Sequence, residues 1–479
     1  MLLDIDRTLN VPLADQIAAQ ISRLMIEGDL PPSSVLPSTR ELARRLGVDR
    51  GTVARAFSRL AASGYLALDQ GRRVQVRASS LPGTHPLQES LASRTAHTDT
   101  LVATPPNGHF DLRSLSPDPR LLPAKALQKA MCQVLKPANE GIEPANPRGD
   151  PCYLEMLSRR MRRHGIESTP ETLIATNGAQ QAFDLLLRVL LKPGMSVAVE
   201  TPGYASLLAL LRLHEAKVIG IPMGDKGMDL DVLRKVLETN SLCAVFTMPC
   251  FQNPTGVTTG REHRRALLQL CTTHDVPLVE DGFLEDMQYF GQAAPPIKAL
   301  DTQHRVIYVG TFSKLLWPRL RLGWVAASPE LTERLAYLRQ TTEMGGQQIA
   351  QQAIATLQKD GTLDRYTRRA HREYRRRMIG LLRACRLHLG PQDVKFRVPT
   401  GGFTVWAESS LPSVLETTLV ARLQQAGVLV QAGVPCHVAP PQYACFRLSI
   451  ARCDATAVDQ ALSRTAQIVN SLRKEAPGC

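Results

Sequence analysis

The sequence contains no uncharged apolar run long enough to span a bilayer, which would take about 20 residues, so a helical membrane anchor is not expected. Its first ten residues, MLLDIDRTLN, carry acids where a secretory leader would carry a basic and then an apolar region, and the expectation is a cytoplasmic protein. None of the ten cysteines stands in a CxxC pair or in a His/Cys cluster at metal-ligand spacing. In a long cytosolic chain that argues for buried free thiols, with neither disulfides nor a metal site. Lysine is scarce, at 12 residues against 45 arginines, so the net charge of +13 is an arginine charge. It suits a polyanionic partner without locating one, because the first 78 residues hold 11 arginines and 8 acids (11 − 8 = +3). Part of the remainder is the run Arg368, Arg369, Arg372, Arg375, Arg376 and Arg377, which reads as a solvated helix face.

At 479 residues, 44% of them hydrophobic, the chain exceeds what one core usually serves, and two or more domains are expected. Near the N-terminus, Leu13, Ile17, Ile21 and Leu24 recur at helical spacing after Pro12 and predict an amphipathic helix ending near Gly28. A second helix starts at Ser38, which with Glu41 has the spacing of a capping box, and carries Leu42 and Leu46 on its apolar face. Gly47 breaks it and Asp49 can cap a third, with Val53, Ala56, Phe57 and Leu60 inward. Helix, short glycine-containing turn, helix is the layout that places a second helix in a major groove. Arg50, Thr52, Arg55 and Arg59 lie off the apolar stripe, and Arg40 opens the preceding helix where it can clamp a phosphate. The alternations Leu66/Leu68 and Val74/Val76 bracket Gly71-Arg72-Arg73 as a hairpin with a basic tip.

The string LPSTRELARRLGVDRGTVARAFSRLAASGYL resembles the winged helix-turn-helix of GntR-type bacterial regulators, across residues 10–77. The resemblance puts Arg40, Arg50, Thr52 and the wing at Gly71-Arg72 on DNA-contacting positions, with Ser38 and Arg55 in the same set. The wing departs from the usual GxG form. Residues 1–78 are thus expected to be a DNA-binding domain. Residues 79–108, rich in Ser, Thr, Pro and His and without periodicity, are expected to be a flexible linker on the order of 30 Å end to end.

From 109 to 479, strand-like runs alternate with helical ones: SVAVE (196–200), CAVFTMP (243–249), VPLVEDGF (276–283), RVIYVGTFSK (305–314) and GWVAAS (323–328). The pattern predicts an α/β domain with a mostly parallel, doubly wound sheet, whose ligands gather beyond the carboxyl ends of the strands. Asp281, Lys314 and Asn253 stand at such ends. Together with their neighbours they meet the needs of pyridoxal phosphate (PLP). Lys314 can join its aldehyde as a Schiff base, and Asp281 can pair with the pyridine nitrogen. Asn253 can donate to the ring hydroxyl and Tyr204 can stack on the ring. Gly178-Ala179-Gln180, opening a helix, can offer N–H groups to the phosphate, with Thr311, Ser313 and Arg321 completing the cup. Singly, each has an ordinary structural reading as cap, packing residue or turn. The order and spacing of the set carry the argument.

Over residues 110–475 this set resembles the fold-type-I aminotransferases. By that resemblance Arg447, in CFRLSIA, is the arginine that holds a substrate or effector carboxylate. Family members commonly carry a tyrosine two or three residues after the aspartate, where this chain has Phe283 and Leu284. Pro144 stands where an aromatic that reaches the partner subunit's phosphate is often found. Reader and aminotransferase-like domain together resemble the MocR subfamily of bacterial regulators. That implies a homodimer binding double-stranded promoter DNA, with affinity set by PLP or by a small amine or amino acid reacting at Lys314. The alternatives are a working aminotransferase with an appended reader, and a large domain kept only for dimerisation. The missing phenol tilts the expectation toward sensing.

Overall fold

The computed structural model describes residues 3, 5, 7, 12–26, 30, 34–62, 66–67, 74–76, 108–135, 146–452 and 454–475. The chain divides into two compact units, 1–103 and 104–479.

In the first unit, helices Leu13–Ile26, Thr39–Leu46 and Arg50–Ala62 bury Ile17, Ile21, Leu42, Val53, Phe57 and Leu60 in one small core. Ser38 accepts a hydrogen bond from the Glu41 amide at 3.2 Å, so half of the predicted capping box forms. The other half does not, because the Glu41 carboxylate turns to Arg44 and Arg45, at 2.6 and 2.9 Å. Gly47 ends the second helix in the left-handed conformation, where a Cβ would be strained. Strands Leu66–Ala67 and Gln75–Val76 then pair antiparallel. The predicted wing tip, Gly71 and Arg72, and nearly all of the predicted linker lie outside the described residues.

The second unit is built on an eight-stranded sheet. Its order is Leu173–Thr176, Gly323–Ala326, Val306–Thr311, Leu278–Gly282, Leu242–Thr247, Ser196–Thr201, Lys217–Gly224 and Gly227–Met228. The five strands from Val306–Thr311 to Lys217–Gly224 run parallel. Gly323–Ala326 is antiparallel to both neighbours, a direction that an apolar run in a sequence does not encode. Buried side chains alternate between the faces. Val197, Val199, Val279, Ile307 and Val309 meet helices Ala179–Leu190, Ala205–Leu213 and Pro329–Glu343 on one side. Ala198, Val245, Leu278 and Val306 meet Leu230–Thr239 and Arg261–Thr273 on the other. This is the doubly wound arrangement.

A smaller four-stranded antiparallel sheet, unforeseen in the sequence, follows the long helix Thr362–His388. It orders Val394–Phe396, Thr404–Pro412, Tyr443–Ser449 and Gln431–Ala432, and it carries Arg447. Among the described residues no helix is long and apolar enough to cross a membrane.

Candidate functional site

Asp281 sits near the end of its strand with its register partner Val309 on the adjacent one, so its side chain leaves the sheet on the face of helix Ala179–Leu190. It lines a pocket with Glu200, Tyr204, Phe246, Thr247 and Met248. Burial pushes its carboxyl up to about 7, with Glu200 adding to the rise and Lys314 opposing it. The preceding residue, Glu280, points to the other face. There its two oxygens accept from the amides of Ile297 and Lys298, each at 2.8 Å, a structural cap.

Lys314 follows strand Val306–Thr311 in the loop that returns to Gly323–Ala326. It is half-buried, and loss of water lowers its ammonium to about 8, assisted by the positive charges of Arg447 and Arg321 and opposed by Asp281. The loop is held by Thr311, whose hydroxyl donates to the Leu322 carbonyl at 3.2 Å and accepts from the Ser313 amide at 3.1 Å. With its hydroxyl engaged on both sides, Thr311 shapes the lysine loop. The Ser313 hydroxyl, by contrast, is buried without a partner among the described residues.

Asn253 and Arg447 form the opposite wall. Both are buried, and Arg447 Nη1 donates to Asn253 Oδ1 at 2.8 Å while Nη2 donates to the Arg113 carbonyl at 2.7 Å. With its oxygen occupied, the Asn253 amide is turned so that Nδ2 is the group left to donate. The Arg447 Nε is buried with no partner among the described residues, a donor waiting for an acceptor. Two polar groups that sequence reading missed support this wall. Buried Glu200 accepts from Thr247 Oγ1 at 2.6 Å, from the Met248 amide at 3.0 Å and from Gln252 Nε2 at 3.0 Å. Gln252 Oε1 in turn accepts from the Thr255 amide and hydroxyl, at 2.9 and 2.6 Å. The signal in the sequence was a glutamate closing an otherwise apolar strand, SVAVE, just before TPGY.

The phosphate end also has a built form. Helix Ala179–Leu190 begins at Gly178 with no side chain capping it, leaving its first N–H groups open. Gly178 has φ +81°, and a Cβ there would sit 2.8 Å from Arg321 Nη2. Arg321 is anchored by donating to the Asn177 carbonyl at 2.9 Å. Gln180 is turned by a bond from Nε2 to the Ser206 carbonyl at 2.9 Å. An anion with several acceptor oxygens fits the uncapped amides, the Arg321 guanidinium and the unpartnered Ser313 hydroxyl. The residues present fit PLP: the open helix start, Arg321 and Ser313 could hold its phosphate, and Asp281, Tyr204 and Lys314 could serve its ring and aldehyde. Phe283 is buried and Leu284 adopts φ +56°, so neither offers a phenol. Pro144 lies outside the described residues.

We expect Gly178→Ala to weaken PLP by about tenfold or more, since at φ 81°, ψ 173° the backbone adopts a conformation essentially reserved for glycine and a Cβ would push on Arg321 Nη2. Binding of pyridoxal, which lacks the phosphate, should change much less. Equal losses for the two compounds, measured by equilibrium titration, would contradict a phosphate seat at this helix.

On the first unit, Arg40, Arg50 and Arg55 are exposed, Ser38 is exposed at its cap, and Thr52 is half-buried. Asp49 accepts from the Gly51 amide at 2.7 Å and fixes the start of the third helix. Arg59 is committed elsewhere, in an ion pair with Asp15 of the first helix.

Residues 122–464 match the aminotransferase class I and II family, and residues 13–76 match the gntR family of bacterial regulatory proteins. The chain is 33% identical over 311 residues to aromatic-amino-acid aminotransferase 1 of Thermococcus litoralis, covering 64% of this chain and 74% of that one. It is 31% identical over 385 residues to the HTH-type pyridoxine biosynthesis transcriptional regulator PdxR of Corynebacterium glutamicum, covering 79% and 80%. Among solved structures it resembles LysN, the alpha-aminoadipate aminotransferase of Thermus thermophilus complexed with N-(5'-phosphopyridoxyl)-L-leucine. There the TM-score is 0.71 at 26% identity, over 77% of this chain and 94% of that one.

Proposed function

The chain belongs to the aminotransferase class I and II family and, with its GntR helix-turn-helix, to the MocR type of regulator. From that premise we propose that PLP, or an amine reacting with it at Lys314, modulates binding of the protein to promoter DNA. The observation that carries the reading is one chain holding both a half-buried lysine lowered to about 8 between Asp281, Arg321 and Arg447, and a helix-turn-helix exposing Arg40, Arg50 and Arg55. The protein works in the cytoplasm, as a homodimer.

PLP, when bound, supplies an aldehyde that captures primary amines and a ring that withdraws electrons. The Asp281 carboxylate would hold a proton on the ring nitrogen, the Asn253 amide would donate to the ring hydroxyl, and Tyr204 would pack against the ring. Gly178, Ala179 and Gln180, with Ser313 and Arg321, bind the phosphate. Arg447 takes the carboxylate of an incoming amino acid, its fixed bonds to Asn253 and Arg113 leaving Nε available. A ligand that freed the Lys314 amine would change charge and packing beside Asp281, Arg321 and Arg447, and would so have the means to favour one conformation over another.

Near pH 7 about one lysine in ten is neutral at a pKa near 8, against fewer than about one in a thousand at the usual value near 10.4. The rate at which apo protein takes up PLP covalently should therefore climb as pH rises toward 8 and level off above it. A rate still rising steeply to pH 10 would contradict a depressed Lys314. Titrating the full chain with PLP and a panel of amines, while following the visible absorbance and binding to its own promoter DNA, tests the proposal.

A second reading, a working aminotransferase, is supported by the intact set Lys314, Asp281, Asn253, Tyr204 and Arg447. Conversion of the bound aldehyde to the amine form by an amino acid, followed by repeated turnover with an oxo acid, would favour it.

A further inference from the structure

The charge excess of the chain is concentrated on one helix. Thr362–His388 holds nine arginines against two acids, Asp364 and Glu373 (9 − 2 = +7), out of a total of +13. Its inward face is Leu363, Tyr366, Ala370, Tyr374, Met378 and Leu381. Arg377 belongs to that face, donating to Asp118 at 2.6 Å, Glu373 at 2.9 Å and the Ala451 carbonyl at 3.0 Å. Arg376 pairs with Glu373, Arg375 lies over the Phe290 ring, and Arg365 donates to the Asp360 carbonyl at the end of the preceding helix.

The other five, Arg368, Arg369, Arg372, Arg383 and Arg386, are exposed and have neither hydrogen bond nor ion pair among the described residues. At 100° per residue they fall within an arc of about 100°, and at 1.5 Å per residue they span about 27 Å. Like charges three and four residues apart destabilise a helix. A stripe this dense therefore works against the helix unless a polyanion neutralises it. Duplex DNA presents phosphates every 3.4 Å along each strand, and the guanidinium fork matches phosphate geometry.

We propose that this arginine stripe is a second DNA-binding surface, set by the large unit against the phosphate backbone and independent of base sequence. The proposal rests on the reading of the chain as a DNA-binding regulator. It adds a site outside the reader module.

The test uses the full chain and a labelled 60-base-pair duplex of random sequence, with affinity followed against salt. The variant R368Q/R369Q/R372Q/R383Q alters only exposed side chains, and its thermal melt should match or exceed that of the wild type. Its plot of log K against log salt should be less steep by about three to four, roughly one for each phosphate that is no longer neutralised. Lysines at the same four positions should largely restore the slope. A well-folded glutamine variant with the wild-type slope and affinity overturns the stripe as a DNA-binding surface, while Arg50→Ala still weakening promoter binding leaves the regulator reading intact. Loss of binding to a single-stranded RNA with duplex binding unchanged also overturns it, in favour of RNA. A wild-type chain binding neither this duplex nor its promoter at any salt overturns the regulator reading, and the stripe with it.

Discussion

Lys314→Ala is expected to abolish covalent capture of PLP and, with it, every response of DNA binding to added cofactor or amine. The substitution removes one amine and leaves the rest of the cup standing. The open helix start at Gly178, the Arg321 guanidinium, the Ser313 hydroxyl and the Asn253–Arg447 pair do not depend on the lysine for their positions. PLP should still bind, reversibly and more weakly. Borohydride reduction and intact-mass measurement separate the two states: the wild type gains one phosphopyridoxyl group per chain, and the variant gains none. Removing the ammonium also takes away the charge that opposes the rise at Asp281, so the Asp281 carboxyl should be pushed further up in the apo variant. DNA affinity without ligand should be close to that of the wild type, because the reader is a separate unit with its own core. A variant that still answers to PLP or to amines would show that the response does not run through Lys314.

The second large effect is expected from Arg50→Ala and Arg55→Ala together. Both are exposed, at the first and sixth positions of the third helix, whose inward residues Val53, Ala56, Phe57 and Leu60 fix its orientation. A bidentate bond to a base edge is worth about 1–3 kcal/mol of discrimination, so the pair should cost promoter binding about 2–6 kcal/mol if both reach bases. If either meets phosphate instead, the loss is even across sequences and the salt slope falls by about one. Neither change should alter the melting of the reader by more than a small amount, since exposed substitutions usually stay within about 0.5 kcal/mol. Arg59→Ala should touch DNA affinity less, and loss of its exposed ion pair with Asp15 should cost stability about 1 kcal/mol at most. Fluorescence anisotropy on promoter DNA, beside thermal melts, distinguishes these outcomes.

Legibility in the sequence followed the physics of each element. The strand ends bearing Asp281 and Lys314 were readable because parallel strands buried on both faces are short continuous apolar runs, and a polar residue that ends such a run stands out. The three helices of the reader were readable from stripes at helical spacing and from the cap at Ser38. The small antiparallel sheet was not, because Thr404–Pro412 reads TVWAESSLP, mixed in polarity and without turn signals at hairpin spacing. Strand direction at Gly323–Ala326 was hidden for a simpler reason, since burial on both faces gives the same pattern whichever way the chain runs. At Glu41 a local rule lost to its neighbours: two arginines on the next turn outcompeted the backbone amide for the carboxylate. The arginine run illustrates the same limit, because spacing alone does not separate Arg377, locked to Asp118, from the exposed Arg372 five residues before it.

The central claim is that chemistry at Lys314 is coupled to DNA binding. Its most direct test is the affinity of the full chain for its own promoter DNA, measured apo, with saturating PLP, and with PLP plus each amine of a panel, for the wild type and Lys314→Ala in parallel. The predicted result is a ligand-dependent change of about 5- to 150-fold in the wild type, the usual range of coupling between sites, and none in the variant. Equal affinity in every wild-type sample, with the visible absorbance proving that Lys314 is loaded, would contradict it.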